Sequence, residues 1–224
     1  MSDPKEKLRA LIKVFSTLVV LNVIVMAGMT YFTYGVRGNG VLTTRTFDLA
    51  EFDHVALEGT GIARITTGQS SFLEITTDEN MLPLLEIDVS DGKLVIRSKD
   101  ETQPTVLLVT IHVPNLRGIE LAGSSSIEIS GLSAKKFSIG IRGHGTANVS
   151  GGVDHLAVNI SGDGLVQAMD LIAKETEVEI QGAGDVEVHT TMRLAVNCYG
   201  SGTVLYAGDP ALDGKCEGSV QRVN

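Results

Sequence analysis

Residues 139–149 read IGIRGHGTANV, and the same pattern returns as VNISGDGLVQA (158–168), VEIQGAGDVEV (178–188) and VNCYGSGTVLY (196–206). Each stretch has an apolar residue at every second place on both sides of a Gly-x-Gly. Successive side chains of a strand point to opposite sides, so this alternation predicts two strands with one buried face each. Glycine enters positive φ without a Cβ clash and suits the corner between them.

The first glycine of this pattern recurs every 18 to 20 residues along the second half of the chain. It is found at Gly123, Gly143, Gly162, Gly182, Gly200 and Gly218. Units of this length are too short for a βαβ crossover, which takes about 30 residues. A fixed period is typical of solenoids, in which each repeat buries its apolar face on a neighbour. We therefore predict an all-β fold, a parallel β-helix with rungs of 18–20 residues stacked at about 4.8 Å.

An early copy of the unit precedes the regular series. Its apolar and glycine positions are Val55, Leu57, Gly59, Gly61, Ala63 and Ile65. The first rung should therefore begin near residue 53. From residue 72 to 113 the period loosens, although strand patterns persist. Asp91-Gly92 predicts a hairpin turn there, residues 100–104 an exposed loop, and Pro114-Asn115 a bend before the regular stack.

The amino terminus carries a separate signal. Residues 14–32 form a run of 19 residues without a charge, and a helix of that length would span about 28 Å, close to the thickness of a bilayer core. Four basic residues precede the run and three aromatic residues close it, Tyr31, Phe32 and Tyr34. Because positive flanks stay inside and aromatic residues mark the interface, residues 1–13 should be cytoplasmic.

These features predict a transmembrane anchor over residues 14–34, a tether over 35–45 and a folded domain over 46–224. A cleaved signal sequence, with Val25-Met26-Ala27 as its cleavage site, is the alternative for the first segment. Either interpretation exports the folded domain. The anchor gives a single-pass protein of a bacterial inner or plasma membrane whose carboxy-terminal domain is periplasmic or extracellular.

Charge and composition narrow the range of partners. The chain has 18 basic and 27 acidic residues, a net charge of −9, and no tryptophan. Nucleic-acid binding depends on neutralising phosphates, so an acidic exported domain argues against it. Residues 182–186, GAGDV, look like a fragment of a calcium-binding nonapeptide. The other units carry Ser126, Thr146, Leu165 and Thr203 at the place of Asp185, so no calcium ladder is expected.

Several segments, taken in order, resemble one known family. They are Phe52-Asp53-His54-Val55, Gly59-Thr60-Gly61, Thr77-Asp78-Glu79-Asn80, Asp91-Gly92-Lys93-Leu94-Val95-Ile96, Val113-Pro114-Asn115-Leu116, Ile119-Glu120-Leu121-Ala122-Gly123-Ser124 and the later Gly-x-Gly units. Residues 46–224 thus resemble the auto-transporter adhesin "head GIN" domains of bacterial envelopes. The resemblance implies a right-handed parallel β-helix in an extracytoplasmic setting, and carries over no catalytic or binding residue.

The remaining polar residues do not form a recognisable catalytic pattern. The five histidines, His54, His112, His144, His155 and His189, lack metal-ligand spacing. His144 should lie at an exposed corner and His189 just past a strand. Two outward columns look like mixed solvated surfaces: Glu120, Gly140, Asn159, Glu179, Asn197, Lys215 and Glu128, Asn148, Gln167, Glu187, Leu205. We assign no catalytic, cofactor-binding or metal-ligating residue.

Two classes of function remain. The first is a non-enzymatic, adhesin-like binding or envelope scaffold module whose partner is a protein or glycan outside the cytoplasm. The alternative is a glycan-active β-helix enzyme, a polysaccharide lyase or hydrolase, which would need paired carboxylates along one face. The sequence favours the first, with the amino-terminal helix joining the module to a membrane.

The two cysteines occupy the same place in consecutive units. Cys198 and Cys216 stand two residues before Gly200 and Gly218, where earlier units have Leu121, Ile141, Ile160 and Ile180. Both sulfurs should therefore point into the core, on adjacent rungs about 4.8 Å apart. An exported compartment permits a disulfide, but in-register parallel neighbours make its geometry difficult. We expect a stacked buried pair, and we favour two thiols over a disulfide.

Overall fold

A computed structural model of the chain describes residues 35–68, 71–98 and 102–223. Almost all regular structure there is β. The strands are β1 (Val36–Arg37), β2 (Leu42–Phe47), β3 (His54–Gly59), β4 (Ile62–Thr67), β5 (Phe72–Asp78), β6 (Leu85–Ser90), β7 (Lys93–Ser98), β8 (Thr102–Gln103), β9 (Leu107–Val113), β10 (Gly118–Gly123), β11 (Ser126–Gly143), β12 (Thr146–Gly162), β13 (Leu165–Gly182), β14 (Asp185–Tyr199), β15 (Thr203–Ala207), β16 (Ala211–Cys216) and β17 (Ser219–Arg222). A short 3-10 turn covers Leu82–Leu84.

The regular part is a β-solenoid of about five turns, as the repeat predicts. Its strands pair in parallel and in the register of the sequence alignment. On the first face, which precedes the corner glycine, Ile119 pairs with Ile139, which pairs with Val158. On the second face, which follows it, Ala147 pairs with Val166. All five side chains are buried, so the alternating apolar positions form the interior of the stack.

A third side closes each turn. Strands β11 to β14 run from the second face of one rung to the first face of the next, and the register shifts where they bend. One such shift lies between Ile129 and Leu132. Beyond it, Ala134 pairs with Val153, and Val153 with Ala173. The chain therefore remains hydrogen-bonded around most of each turn.

The corner glycines have the predicted backbone conformation. Gly143, Gly162, Gly182 and Gly200 have φ values of 105°, 121°, 130° and 124°. Gly218 is an exception, and its prediction as an equivalent corner was wrong. Cys216 pairs with Cys198, but Ser219 pairs with Thr203, so the last corner is two residues shorter. Gly218 therefore packs on Gly202, not on Gly200.

The first rung is where the sequence places it, yet the chain reaches its neighbours out of order. β3 and β4 pair directly with β10 and β11, so Gly59 lies beside Gly123. On the other side β3 pairs with β7 and β4 with β9, both in parallel. Residues 93–98 and 107–113 thus form a layer below a rung that precedes them in the sequence. This layer explains why the period loosens there.

Antiparallel strands complete the amino-terminal end, which we call the cap (residues 35–50, 72–98 and 102–113). β6 pairs with β7 through the hairpin at Asp91-Gly92, as predicted, and β5 pairs with β9. β2 forms the outer strand beside β5, and β1 pairs with β8. Residues 35–45 are therefore partly strand, and the prediction of a simple tether was wrong for them. Thr102–Gln103 likewise form strand within the segment expected to be a loop.

The cysteine pair lies where the register predicts, but the preference for thiols was wrong. Cys198 and Cys216 form a disulfide across adjacent rungs, with a Cα–Cα distance of 4.4 Å. Cys198 is buried, whereas Cys216 is only partly buried because few residues lie beyond it. The short distance between parallel rungs thus accommodates the bond.

Within the described ranges, none of the helical structure is long and apolar enough to cross a membrane. The anchor or signal sequence expected over residues 14–34, and the cytoplasmic segment over 1–13, lie outside those ranges.

Candidate functional site

A cleft of about 950 Å³ lies where the cap meets the solenoid. Three of the family-like segments contribute to it, at Phe52-Asp53, Asp91-Gly92 and Pro114-Asn115-Leu116. The other lining residues are Glu51, Ser71, Arg117, Ser133, Ala134, Lys135 and Lys136. Segments far apart in sequence are therefore brought together at one corner of the molecule.

Backbone hydrogen bonds between successive layers build this corner. The N–H groups of Asp53 and His54 donate to Gly92 O at 2.9 and 3.2 Å, and Arg117 N–H donates to Asp53 O at 2.7 Å. Asp91 has a φ of 51° and Gly92 of 75°, the left-handed conformation that a two-residue hairpin turn needs. The hairpin, the first rung and the second rung thus stack on one another at the cleft.

Some charged side chains in the cleft have ion-pair partners and others do not. Asp53 has two cationic or potentially cationic neighbours: His54 Nδ1 lies 2.6 Å from Oδ1, and Arg117 Nε lies 3.2 Å from Oδ2. By contrast, Lys135 and Lys136 are both exposed and form no ion pair with any described residue. Adjacent residues are both exposed here because the chain turns between the third and first sides. Two ammonium groups at the rim are therefore available to a ligand.

The first face beside the cleft carries the predicted outward column. Glu120, Gly140, Asn159, Glu179, Asn197 and Lys215 follow one another in register. At one end Glu120 accepts a hydrogen bond from Lys93 Nζ at 2.7 Å and lies 3.4 Å from Arg142. The Lys93 hydrogen bond holds the pKa of Glu120 below its usual value. This column is a mixed polar surface, with the carboxylate nearest the cleft kept charged.

A buried carboxylate that sequence reasoning missed lies in the cap. Asp78 is fully buried and accepts hydrogen bonds from Gly40 N–H at 2.7 Å and Thr105 N–H at 2.8 Å. The Thr105 hydroxyl donates to it as well, and this bond is the main reason that the pKa of Asp78 is lowered. Its neighbour Asn80 binds Arg37 O. The segment Thr77–Asn80 therefore holds the chain where it enters the cap. The sequence feature that could have identified Asp78 is its position in the family-like segment Thr77-Asp78-Glu79-Asn80.

The histidines lie apart from one another. His144 is exposed at a corner, as predicted, 3.5 Å from Asp163, and His155 lies 3.3 Å from Glu175. His189 is inside β14 rather than just past a strand, because that strand continues through the bend. Among the residues that the structure describes, no three His, Cys, Asp or Glu side chains come together as a metal site would require.

The fold and the cleft define a class: a β-solenoid with a cap and an open polar surface. Residues 51–210 match the family model described as "Putative auto-transporter adhesin, head GIN domain". The chain belongs to that family, as its sequence motifs indicate.

Solved structures share this architecture. A putative adhesin from Bacteroides fragilis is 21% identical with a TM-score of 0.69, the match covering 84% of this chain and 100% of that one. A putative lipid binding protein from Parabacteroides distasonis is 23% identical with a TM-score of 0.57, covering 84% and 99%. A putative adhesin from Parabacteroides merdae is 19% identical with a TM-score of 0.53, covering 84% and 99%. Identities this low establish the fold alone. No curated protein matches the chain.

Proposed function

We propose that this protein is a non-enzymatic, adhesin-like binding module of the bacterial envelope. Its right-handed β-helix lies outside the cytoplasm and is held to the membrane by residues 14–34. The observation that carries the proposal is the cleft between cap and solenoid, with Lys135 and Lys136 unpaired at its rim. Its partner is a polar cell-surface polymer, a glycan or a protein segment.

The chemistry of the cleft supports a polar partner. Small-molecule pockets are enclosed and lined mostly by apolar and aromatic side chains. This cleft is open, and its exposed groups include Glu51, Asp91 and the two lysines. Phe52, its single aromatic residue, is buried beneath the surface. An extended polar chain that forms hydrogen bonds and ion pairs with the rim fits these groups better than a compact apolar ligand.

The stacked backbone also supports binding rather than catalysis. Asp53, the carboxylate most enclosed in the cleft, already lies 2.6 Å from His54 Nδ1 and 3.2 Å from Arg117 Nε, so both of its oxygens are engaged by side chains of the same molecule. The hydrogen bonds through Gly92 and Asp53 hold the floor between rungs. A rigid floor fixes the backbone of the cleft before a ligand arrives, which reduces the entropy lost on binding.

Binding of the full-length protein to arrayed envelope polysaccharides and surface proteins tests the proposal. The variant Lys135→Ala/Lys136→Ala should lose most of the binding of the wild-type protein. The matched control Arg64→Ala/Arg222→Ala removes two positive charges that pair with Glu128 and Asp209, away from the cleft, and should bind normally. Equal binding by both variants would contradict the assignment of the cleft. Release of shortened glycan by the wild-type protein would establish the enzymatic alternative.

A further inference from the structure

The carboxy-terminal end of the solenoid leaves one strand with an open edge. β16 pairs with β14, from Ala211 beside Arg193 to Cys216 beside Cys198. No strand among the described residues pairs with its other edge. Five of its six residues are exposed, and an unpaired edge presents N–H and C=O groups to another chain.

The backbone groups of β16 alternate between the solenoid and the open edge. Glu217 N–H donates to Cys198 O at 3.0 Å. The backbone N–H and C=O groups of the odd-numbered residues therefore point toward the preceding rung. Residues 212, 214 and 216 consequently direct their polar groups outward, because neighbouring residues of a strand face opposite sides. Gly214 N–H donates to the side chain of Asp213 at 2.8 Å, and no described strand lies beside it to accept from it. The outward groups therefore lack a strand partner.

The side chains of β16 are also less covered than those of the preceding rung. Leu212 is 52% exposed, whereas Leu194, its neighbour in the preceding rung, is fully buried. Lys215 forms no ion pair with the described residues. Asp213 lies 3.2 Å from Arg193 but remains 70% exposed. An apolar side chain and two opposite charges are thus available in one short strand.

We propose that β16 pairs antiparallel with β16 of a second copy, about a two-fold axis through Gly214. In that register the outward groups of residue 212 meet those of the partner's residue 216, and Gly214 meets its own copy. Asp213 then stands opposite the partner's Lys215, and Lys215 opposite the partner's Asp213. These two are non-hydrogen-bonded pairs, in which side chains approach more closely. Opposite charges across such a pair stabilise a sheet.

A second copy fits this edge because the strand is self-complementary, as an isologous interface requires. The sequence around Gly214 reads Leu-Asp-Gly-Lys-Cys, with opposite charges equidistant from the glycine. The other edge at this end, β17, lacks such symmetry, because its four residues include one positive charge and no negative charge to stand opposite it. The disulfide Cys198–Cys216 fixes β16 in register for pairing.

Charge reversal tests the proposal in full-length protein, with mass measured by sedimentation in detergent. The wild type should be a dimer. Lys215→Asp and Asp213→Lys should each weaken it by roughly tenfold or more, because two like-charge contacts replace two ion pairs. Arg222→Asp, a charge reversal at the same end, should leave the dimer intact.

Mixing the two weakened variants gives the decisive result. A Lys215→Asp chain opposite an Asp213→Lys chain restores both ion pairs, so the mixture should form a one-to-one heterodimer. Matching circular dichroism spectra and melting curves establish that all variants are folded. A monomeric wild type, a dimer insensitive to both single reversals, or a mixture that stays dissociated would each overturn the proposed register.

Discussion

The two ends of the solenoid are built in different ways. At the amino-terminal end, antiparallel strands β6 and β2 close the two faces, and Asp78 fastens the entering chain. At the other end, parallel strands stop after a shortened corner, and the disulfide holds the last rung. The first end is closed by chain topology and buried hydrogen bonds, whereas at the second a covalent bond holds the last rung and the edge of β16 stays open. A repeat therefore specifies the middle of a solenoid, while each end needs its own solution.

The largest expected effect is a loss of stability when a corner glycine inside the stack is substituted, compared with the corner glycine of the rung beside the cap. Gly182 has a φ of 130°, and an added Cβ would lie 2.6 Å from Gly162 O. Gly182→Ala should lower the free energy of unfolding by roughly 2–5 kcal/mol, from backbone strain and overpacking together. Thermal or denaturant unfolding measures it.

Gly59→Ala is the matched control. Its φ is 110°, but nothing lies within 4 Å of the added Cβ. It should cost only the conformational strain, about 1–2 kcal/mol. Equal losses of unfolding free energy for the two variants would show that the close contact between stacked corners adds nothing to the cost of the backbone strain.

The next effect concerns the covalent end. Reduction of Cys198–Cys216, 18 residues apart, should destabilise the last rung by about 3 kcal/mol, the value for a closed loop of similar length. Amide hydrogen exchange should accelerate in β16 and stay unchanged in the cap. Thiol counting on denatured protein checks that the bond forms. Uniform acceleration throughout the molecule would contradict a local role.

The smallest effect concerns the capped end and depends on pH. Asp78→Asn replaces one of the two acceptor oxygens by an NH2 donor, so that either Gly40 N–H or Thr105 N–H loses its acceptor. The substitution should loosen residues 38–41 and 102–105 to proteolysis at neutral pH. Because the folded pKa of Asp78 is lowered, its contribution is present above the unfolded value and lost as pH falls through the folded one. The difference from wild type should shrink below about pH 4.

Asp88→Asn provides the control, since Asp88 is an exposed carboxylate of the same cap. It should resemble the wild-type protein at every pH. Loosening that persists unchanged in acid for Asp78→Asn would mean that its charge is not what holds the entering chain.

The regular half could be predicted because one pattern fixes both pairing and direction. Alternation gave the buried columns, and the Gly-x-Gly spacing gave the corners at Gly143 and Gly182. The cap could not be predicted in the same way, because its order depends on β7 and β9 lying below β3 and β4, which no local pattern encodes. Likewise, Asp78 reads as an ordinary polar residue until its partners, distant in sequence, are known.

The cleft was predicted only in its parts. Phe52-Asp53, Asp91-Gly92 and Pro114-Asn115 were recognised as motif segments, but their convergence follows from the layer order. Lys135 and Lys136 resemble a solvated pair in the sequence, and their position at the rim depends on the turn between two sides. The cysteine disulfide was misjudged because the expected strain outweighed the short distance between rungs.

The inverted layer order has a consequence for how the chain folds. Gly59 cannot meet Gly123 until the intervening residues have been synthesised, so this contact spans a large loop and forms late. Contacts of long sequence separation slow folding. Later rungs, by contrast, pair units 18 to 20 residues apart and can assemble one upon another. Nucleation should therefore begin in β11–β13, with the first rung added afterwards. The first rung, although it is synthesised before the others, would then complete its pairing last.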